Sequence, residues 1–447
     1  MCRSAHDAAV DRLRAAMSSL PPGSPVRLGK PSSNLFRFGA RDRVPGLPVD
    51  GLDTVITLDA DARTVEAGGL ITYERLVAAT LPHKLMPAVV PQLRTITLGG
   101  AVAGLGIEST SFRSGLPHES VITMDVLTPS GELVTVTDDD ALFQAFPNSY
   151  GTLGYAVRLV IRLEPVGNAV ALTHHRHDSA AETFDALARL WDDPAVDFVD
   201  GVGFDTGELY LTTGRFDDAP GPTSDYTGQA VYYRSIRERD TDRLTIHDYL
   251  WRWDTDWFWC SAAFGVQNRF IRPLWPRPYR RSDVYRRLVG LDRRVGLSRT
   301  LSRLRGGRRE AVIQDVEIPL PAAAAFFDEF CARIPIRPVW ICPLRTADDR
   351  RWPLYPLPAG EPYVNFGFWA TAALPADAPD DHFNREVERL VAAHGGHKSL
   401  YSTVHYDREE FWRGYDLAAY RAVKDRYDPD RRMPELYDKV VGDHATR

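Results

Sequence analysis

The chain opens with apolar residues at helical spacing, which stop before the turn-forming run Pro21-Pro22-Gly23. The positions concerned are Val10, Leu13, Met17 and Leu20. This period predicts an amphipathic helix that packs on the outside of the first domain.

Strand-like and helix-like stretches alternate along the next hundred residues. The composition of 53–58 and 63–67 predicts short strands, and that of 72–81 predicts a helix. The segments 121–128 and 132–137 flank a Pro-Ser-Gly turn, which predicts a hairpin. This mixture predicts an α+β domain.

A change of pattern marks the domain boundary. Apolar residues occupy alternate positions from Val157 to Leu163, as in a half-buried strand, and the alternation ends at Pro165-Val166-Gly167. We therefore divide the chain into residues 1–166 and 167–447.

The second domain has fewer local signals. Residues 338–342 and 363–369 predict apolar strands, and 303–309, with two adjacent glycines, predicts a mobile loop. Asp407 and Glu410 have the spacing of a capping box. The helical face that follows consists of Phe411, Tyr415, Ala418 and Ala422.

The stretch from Thr95 to Ser109 is the most informative part of the chain. All of its bulky side chains are aliphatic, and it contains the glycines Gly99, Gly100, Gly104 and Gly106. Glycine allows backbone amides to approach a phosphate closely, and the hydroxyl groups of Thr95, Thr97 and Ser109 add donors. The glycines do not form G-x-G-x-x-G, and the chain has no Walker motif. The stretch therefore predicts either a different type of cofactor loop or a glycine-rich turn of a barrel.

Length and composition indicate a globular protein of two domains. The 447 residues are 44% hydrophobic, which is enough apolar surface for large cores. The four cysteines have no C-x-x-C spacing, so neither a disulfide framework nor a metal site is predicted. The first residues lack an apolar signal core, and no apolar stretch is long enough to span a bilayer. We expect a cytoplasmic protein, either free or peripheral at the inner face of the membrane.

Charge is distributed unevenly, although the net charge is only −6. The segment 269–309 contains fourteen arginines against two aspartates, about +12. Six large aromatic residues lie within or just before it, namely Trp251, Trp253, Trp257, Phe258, Trp259 and Trp275. Because this mixture is typical of contact with anionic headgroups, we expect peripheral membrane contact through 251–309. The alternative is an exposed arginine-rich face; nucleic-acid binding is not predicted, because no nucleic-acid fold motif accompanies the arginines.

Several separated motifs, in the same order along the chain, resemble those of one flavoprotein superfamily. They are Pro91–Gly100, Gly104–Ser109, Phe146–Tyr155, Pro338–Pro343, Glu409–Trp412, Tyr420 and Pro434–Lys439. The chain resembles the FAD-linked oxidoreductases of the vanillyl-alcohol oxidase/p-cresol methylhydroxylase (PCMH) superfamily, and within it the delta-24-sterol reductase-like branch. It is also similar to the actinobacterial reductases of 10-methylene fatty acyl chains. The resemblance covers most of the chain and is weakest from about 167 to 310.

The resemblance implies a fold and a cofactor. The expected fold is α+β, with a two-subdomain PCMH-type FAD-binding domain at 1–166, followed by an α+β substrate (cap) domain whose C-terminal helices return toward the FAD domain. The candidate FAD contacts are Arg27, Lys30, Ser32, Ser33, Asn34, Gln92, Thr95, Thr97, Gly99, Gly100, Gly104, Gly106, Ile107, Glu108, Ser109, Gly151, Gly154 and Tyr155. The loop 26–37 has no histidine to carry an 8α-histidyl link, so we predict noncovalent FAD.

The resemblance also implies reduction of an unconjugated double bond in a lipid, from a 10-methylene to a 10-methyl fatty acyl chain in tuberculostearic acid synthesis. Direct hydride attack on such an alkene would leave an unstabilised carbanion, so proton transfer should lead and the hydride of flavin N5 should follow. This order requires an acid near the flavin and a dry acyl tunnel.

The candidate catalytic residues are Glu108, His118, His397, Lys398 and Tyr401. A desolvated Glu108 would stay protonated and act as the acid; its alternative role is to accept hydrogen bonds from loop amides. The alternatives are a structural role for His118, anion binding for Lys398 and core packing for Tyr401.

Other functions stay open at this point. They are a delta-24-sterol reductase-like enzyme, a flavin-dependent oxidase of an alcohol or sugar acid, and a lipid-binding partner of a methyltransferase without flavin. The expected substrate is a lipid or phospholipid acyl chain, and a methyltransferase is a candidate partner. NADPH is a candidate electron donor, although the sequence shows no separate nicotinamide motif.

Overall fold

A computed structural model describes residues 3–30, 36, 45–295 and 308–441 of the 447-residue chain, with side chains to 291 in the third range. The predicted cofactor contacts Ser32, Ser33 and Asn34 lie outside the described residues, as does most of the predicted loop 303–309.

The secondary structure mixes helices with antiparallel strands. The α-helices are α1 (Arg3–Ser18), α2 (Tyr73–Thr80), α3 (Leu98–Gly104), α4 (Ser111–Ser114), α5 (Ala141–Ala145), α6 (Ala180–Leu190), α7 (Tyr232–Ser235), α8 (Ile246–Leu250), α9 (Ser282–Val295), α10 (Leu320–Arg333), α11 (His382–Ala393), α12 (Arg408–Arg413), α13 (Leu417–Tyr427) and α14 (Leu436–Val441). The strands are β1 (Val55–Asp59), β2 (Thr64–Gly68), β3 (Leu85–Pro87), β4 (Val121–Leu127), β5 (Leu133–Val136), β6 (Tyr155–Pro165), β7 (Ala169–His177), β8 (Phe198–Asp205), β9 (Glu208–Asp217), β10 (Thr241–Thr245), β11 (Arg309–Pro319), β12 (Val339–Leu344), β13 (Tyr363–Ala373) and β14 (His397–Lys398). This content confirms the α+β class; the division of the first domain into two subdomains stays a prediction.

The first sheet is built around β6. Its strand order is β1-β2-β6-β4-β5, and β3 also pairs with β6. Leu159 and Ile161 are buried on one face of β6, as the alternating pattern predicts. On the other face Arg158 forms ion pairs with Asp125 (2.5 Å) and Glu66 (2.9 Å). The predicted hairpin and opening helix are confirmed as β4–β5 and α1.

The second sheet has eight antiparallel strands in the order β10-β7-β9-β8-β12-β13-β11-β14. Helices α6, α10 and α11 pack against one of its faces. The core there is aromatic, with Phe326, Phe327 and Phe330 of α10 against Phe366 and Phe368 of β13. The helices thereby cover one face of the sheet. We call the opposite face, which these helices do not cover, the free face.

The C-terminal helices pack on the first domain. Lys424 of α13 donates from Nζ to the carbonyl of Thr152 (2.7 Å), and Tyr420 bonds the hydroxyl of the same threonine (3.1 Å). The predicted capping box at the start of α12 is confirmed, because the Asp407 and Glu410 side chains each bond the other's backbone N–H. Both sheets and the C-terminal helices share one hydrophobic cluster.

The aromatic part of the predicted membrane segment is internal. Five of its six aromatic residues are buried, namely Trp251, Trp253, Trp257, Phe258 and Trp259. They pack against the free face of the second sheet, where Phe258 stacks on Trp369. The expectation that these side chains contact a membrane is therefore wrong. None of the described helices is both long and apolar enough to cross a bilayer.

Candidate functional site

The free face of the second sheet carries acidic groups. On β11, Val316 belongs to the core under the helices, so Asp315 and Glu317 lie on the opposite face. Strand register places Glu317 opposite Asn365, and Asn365 opposite Cys342. Two carboxyl groups and an amide thus share a buried surface beside the first domain.

Asp315 is the centre of a hydrogen-bonded cluster. Asn365 donates to its carboxyl (3.3 Å), and so does the hydroxyl of Tyr401. The indole N–H of Trp369 donates to the Tyr401 oxygen (3.1 Å). Burial raises the pKa of Asp315 to about 7, although these hydrogen bonds oppose the shift. Burial also raises the pKa of the neighbouring Glu317 well above its ordinary value.

A second buried carboxyl lies in the glycine-rich stretch. The Glu108 side chain accepts hydrogen bonds from the N–H groups of Ser109 (3.1 Å) and Gln92. Its other oxygen has no partner among the described residues. Burial raises the pKa of Glu108 to about 8, against the opposing charge of Arg252. At pH 7 this carboxyl is mostly protonated and therefore a proton donor.

An ion pair is buried next to Glu108. The Arg252 guanidinium donates to Asp200 (2.6 Å) and lies 3.9 Å from the ring centre of Tyr249. Trp253 also donates to the Asp200 carboxylate (2.9 Å). This pairing keeps both charges fixed inside the protein and places a permanent cation near Glu108.

A small cavity adjoins these groups. Its lining residues include Met86, Val90, Glu108, Phe198, Tyr249 and Arg252. It has a volume of about 10 Å³, which is room for one water molecule. A second cavity, beside His118, is smaller still. Neither of these cavities is the acyl tunnel expected from the sequence, so a lipid chain reaches Glu108 only if side chains move.

The layer of aromatic residues over the sheet contains strained backbone. Phe258 stacks on Trp369 with ring centres 4.0 Å apart, and Trp257 stacks on Phe36 at 5.8 Å. Trp257 and Phe258 have φ values of 46° and 58°, a left-handed conformation that bulky residues rarely adopt. Each costs about 1–3 kcal/mol, a cost that is typical of functional segments.

Three cations converge beside the glycine-rich helix α3. The pKa of Lys30 is lowered by burial and then by the charges of Arg286 and Lys439. Its ammonium nitrogen lies about 4 Å from where a side chain on Gly100 would begin. Nη1 of Arg286 is buried without a hydrogen-bond partner among the described residues. Although the ammonium group is largely removed from water, the Lys30 side chain as a whole is exposed, so the cluster is open to an anion from solvent.

The amide groups at the start of α3 are already engaged. Gly99 donates to the carbonyl of Gly69 (2.8 Å), and Gly100 donates to the Thr97 hydroxyl (3.2 Å). A side chain on Gly104 would meet the ring of Tyr150 at 3.2 Å. These glycines are therefore required by contacts within the protein, and the cationic side chains beside them are the groups that can contact a phosphate.

His118 and Lys398 are not part of the acidic cluster. His118 is buried against Trp352 (ring centres 4.5 Å apart), and burial lowers its pKa to about 3. A histidine that is neutral at physiological pH is a poor proton donor, which argues against the predicted catalytic role. Lys398 points to the helix side of the sheet, where it pairs with Glu388 (2.6 Å). That pairing gives it a structural role.

The remaining predicted residues lie in varied surroundings. His397 pairs in register with Glu317, and burial lowers its pKa. Ser109 exchanges a hydrogen bond with Tyr249 (3.0 Å), and Tyr155 donates to the carbonyl of Val26 (3.3 Å). Ile107 is buried, Thr95 is half-buried and Arg27 is exposed. Gly151 and Gly154 form a turn with positive φ, and a side chain on Gly154 would lie 2.7 Å from the Leu127 carbonyl.

Sequence reasoning missed four groups that the fold brings together. They are Asp200, Arg252, Asp315 and Arg286. Asp200 is flanked by Val199 and Gly201, and Asp315 by Gln314 and Val316, so the strand patterns give at most a weak signal for a buried carboxyl. Arg286 gave no separate signal, because it lies in a segment that is rich in arginine throughout.

Comparison with known proteins supports a flavin site. A family model described as FAD binding domain matches residues 29–137. The Delta(24)-sterol reductase of Mus musculus is 24% identical over 413 residues, which cover 86% of this chain and 76% of that protein. The Delta(24)-sterol reductase homolog dhcr-24 of Caenorhabditis elegans is 23% identical over 437 residues, 91% of this chain and 81% of that protein. Cytokinin dehydrogenase 10 of Oryza sativa subsp. japonica is 34% identical over 117 residues, 26% of this chain and 21% of that protein.

The described residues fit such a cofactor. Several buried polar atoms have no partner among the described residues; those of Gln92, Glu108, Asn148 and Ser149 lie in or beside the glycine-rich stretch, and others belong to Arg286 and Asn365. Buried polar groups are normally hydrogen-bonded, so these orphans indicate a polar ligand. FAD has a pyrophosphate, which suits Lys30 and Arg286, and a ring with donors and acceptors, which suits the amides and hydroxyl groups.

Proposed function

Because this chain is an FAD-dependent oxidoreductase of the FAD-linked, PCMH-type superfamily, we propose that it reduces a carbon–carbon double bond in a lipid. The substrate we propose is a 10-methylene fatty acyl chain esterified in a phospholipid, and the product is the 10-methyl chain of tuberculostearic acid synthesis. The names of the sterol reductases to which the chain is similar support the reaction class. The acyl substrate is supported by the sequence motifs.

The observation that carries the proposal is the buried, protonated Glu108. A carboxyl that burial keeps protonated, with a pKa of about 8, can donate a proton to a substrate bound beside it. It lies in the segment that the FAD-domain model matches, it lines the cavity, and one of its carboxyl oxygens has no partner among the described residues. An unconjugated alkene needs such an acid, because it cannot stabilise a carbanion.

The reaction adds one proton and one hydride across the double bond. Bound FAD, in its reduced form, supplies the hydride. Glu108 transfers its proton to the terminal methylene carbon, which becomes a methyl group, and positive charge develops at C10. A hydride from bound, reduced FAD would then complete the addition by forming the C–H bond at C10. Glu108 is left as a carboxylate beside Arg252 and is reprotonated from water.

The aromatic layer also explains how the double bond would reach the acid. The cavity holds one water, so an acyl chain must displace side chains from the free face of the sheet. Trp257 and Phe258 in this layer have left-handed backbone, which stores strain. We assign the opening motion to this segment.

The cofactor itself is held without a covalent bond in this proposal. Lys30, Arg286 and Lys439 supply the positive charge for the pyrophosphate. NADPH is the proposed electron donor.

The test is anaerobic turnover of a defined lipid. Purified FAD-loaded protein, NADPH and phospholipid with 10-methylene acyl chains are incubated, and the acyl chains are analysed by mass spectrometry. The proposal expects a gain of two hydrogens, and in D₂O a deuterium in the new methyl group. If chemically prereduced enzyme gives no gain, the acyl substrate is wrong.

A delta-24-sterol reductase-like activity is the second candidate, since those relatives align along most of the chain. The same incubation with a sterol that carries a side-chain double bond distinguishes the two substrates. Rapid reoxidation of the reduced protein in air, with peroxide formation, would instead indicate an oxidase.

A further inference from the structure

Exposed apolar side chains are concentrated in one short segment. Phe270 is 69% exposed, Ile271 42%, Leu274 82% and Tyr279 57%. We call residues 269–279 the wedge. Its prolines alternate with these side chains, and two short 3₁₀ turns, Arg272–Leu274 and Arg277–Tyr279, hold it in a compact shape. Grouped apolar side chains of this size normally mark an interaction site.

The wedge is fixed to the protein by buried arginines. Arg272 is fully buried and forms ion pairs with both oxygens of Asp256 (2.8 and 3.0 Å). It also donates to the carbonyls of Gly228 (2.7 Å) and Ala230 (2.8 Å). Arg280 makes similar bonds to the Gly228 and Trp275 carbonyls. Leu274 and Tyr279 lie between these anchors and Phe270 and Ile271 directly precede Arg272, so the anchors fix the base of the wedge to the protein.

Positive charge surrounds the apolar tip. Arg269 lies 4.6 Å from the ring centre of Phe270, and the Arg277 and Arg287 side chains are 64% and 79% exposed. The acidic groups in contact with these arginines are Asp225, which pairs with Arg277, and Asp283, which pairs with Arg287. Arginines outnumber acidic residues in the segment, so the surface favours a negatively charged partner.

We propose that the wedge inserts into the surface of an anionic lipid bilayer. Apolar side chains enter the boundary between headgroups and acyl chains, and the arginines contact the phosphates. This inference extends the proposed function by stating where the lipid substrate is met, but it does not depend on which bond is reduced. Residues 260–268 join 251–259 to the wedge, so insertion of the wedge would bring the aromatic layer over the sheet toward the membrane.

Vesicle co-sedimentation tests the proposal with the FAD-loaded protein. The protein should sediment with vesicles of phosphatidylglycerol and phosphatidylcholine, and weakly with phosphatidylcholine alone. The double variant Phe270→Ser/Leu274→Ser should lower the affinity for anionic vesicles by at least about tenfold, because two apolar side chains no longer leave water. The control Ile122→Ser removes an exposed apolar side chain of the first sheet and should bind like the original protein.

Three results would overturn the proposal. One is the absence of binding to anionic vesicles by protein that retains its flavin spectrum. Another is equal binding by the double variant and the control. The last is a concentration-dependent dimer that the double variant abolishes, since the wedge would then be a protein–protein contact. None of these measurements uses turnover, so failure here leaves the reductase proposal standing.

Discussion

Replacing Glu108 by glutamine should make the protein more stable and less active. The pKa of Glu108 is raised from 4.5 to about 8, so between these values the folded state binds more protons than the unfolded state. The contribution of Glu108 to the free energy of unfolding is greatest below pH 4.5. It falls as the pH rises toward 8, because the unfolded chain loses the proton first. Integrated to pH 7 at ~1.36 kcal/mol per pH unit, the loss is about 3 kcal/mol.

Glutamine cannot ionise, so the variant avoids this loss of stability, and it can keep the hydrogen bonds that the Glu108 carboxyl accepts. Its amide oxygen can accept from Ser109 and Gln92 as the carboxyl does, and its NH₂ group takes the position of the oxygen that has no partner. The free energy of unfolding in urea should therefore rise at pH 7, by up to about 3 kcal/mol, and change little at pH 4. Double-bond reduction should fall by about 10²–10⁴-fold, because glutamine has no proton to donate.

Two measurements decide the matter. Urea unfolding at pH 4 and pH 7 gives the stability difference, and anaerobic turnover gives the rate, which in the original protein should decline above about pH 8 as Glu108 ionises. Glu119→Gln changes another buried carboxyl, one that bonds the amides of Leu116 and Ala347, and should leave the rate nearly unchanged. If Glu108→Gln retains full activity, the acid has been misassigned. If it is less stable at pH 7, the carboxyl serves to hold the loop.

The other predictions concern the cofactor and the two buried clusters. Lys30→Ala and Arg286→Ala should each weaken FAD binding by about tenfold, measured by fluorescence titration of apoprotein, and unchanged affinity would remove the cation cluster from the site. Tyr401→Phe should raise the pKa of Asp315 further, as an NMR titration of that carboxyl would show, because the tyrosine hydroxyl no longer donates to it. Arg252→Ala should lower the free energy of unfolding by about 3–5 kcal/mol in urea, since it leaves a carboxylate buried without its cation. Denaturation should release all of the flavin into solution, and flavin retained on the polypeptide would contradict noncovalent binding.

Features set by neighbouring residues were predictable from the sequence. Helix α1, the β4–β5 hairpin and the capping box at Asp407 each depend on residues a few positions apart, so a local pattern contains what is needed. FAD binding and oxidoreductase class were also accessible, because separated motifs resemble those of relatives, and the comparisons confirm both.

The acidic surface was not predictable in the same way. Asp315 and Asn365 are fifty residues apart, and only the pairing of β11 with β13 brings their side chains together. The side of the sheet that a carboxyl faces depends on register, and a shift of one residue would reverse it. Glu108 could be proposed from its place in the glycine-rich stretch, whereas its neighbour Arg252 could not.

The tryptophan prediction failed for a related reason. Aromatic residues next to arginines are typical of membrane contact, but the same composition serves an interior in which arginines are paired. Arg252 and Arg272 are buried with Asp200 and Asp256, and these ion pairs allow the segment to fold inward.

The amides at the start of the glycine-rich helix α3 are not free to bind the phosphates of the cofactor. In many nucleotide sites a helix N-terminus with free amides binds the phosphates. Here the amides of Gly99 and Gly100 donate to the Gly69 carbonyl and the Thr97 hydroxyl. The source of positive charge beside α3 is therefore the cationic side chains. Those cations come from three distant parts of the chain, represented by Lys30, Arg286 and Lys439. A ligand that neutralises all three would relieve their mutual repulsion and link the first domain, α9 and the C-terminal helix.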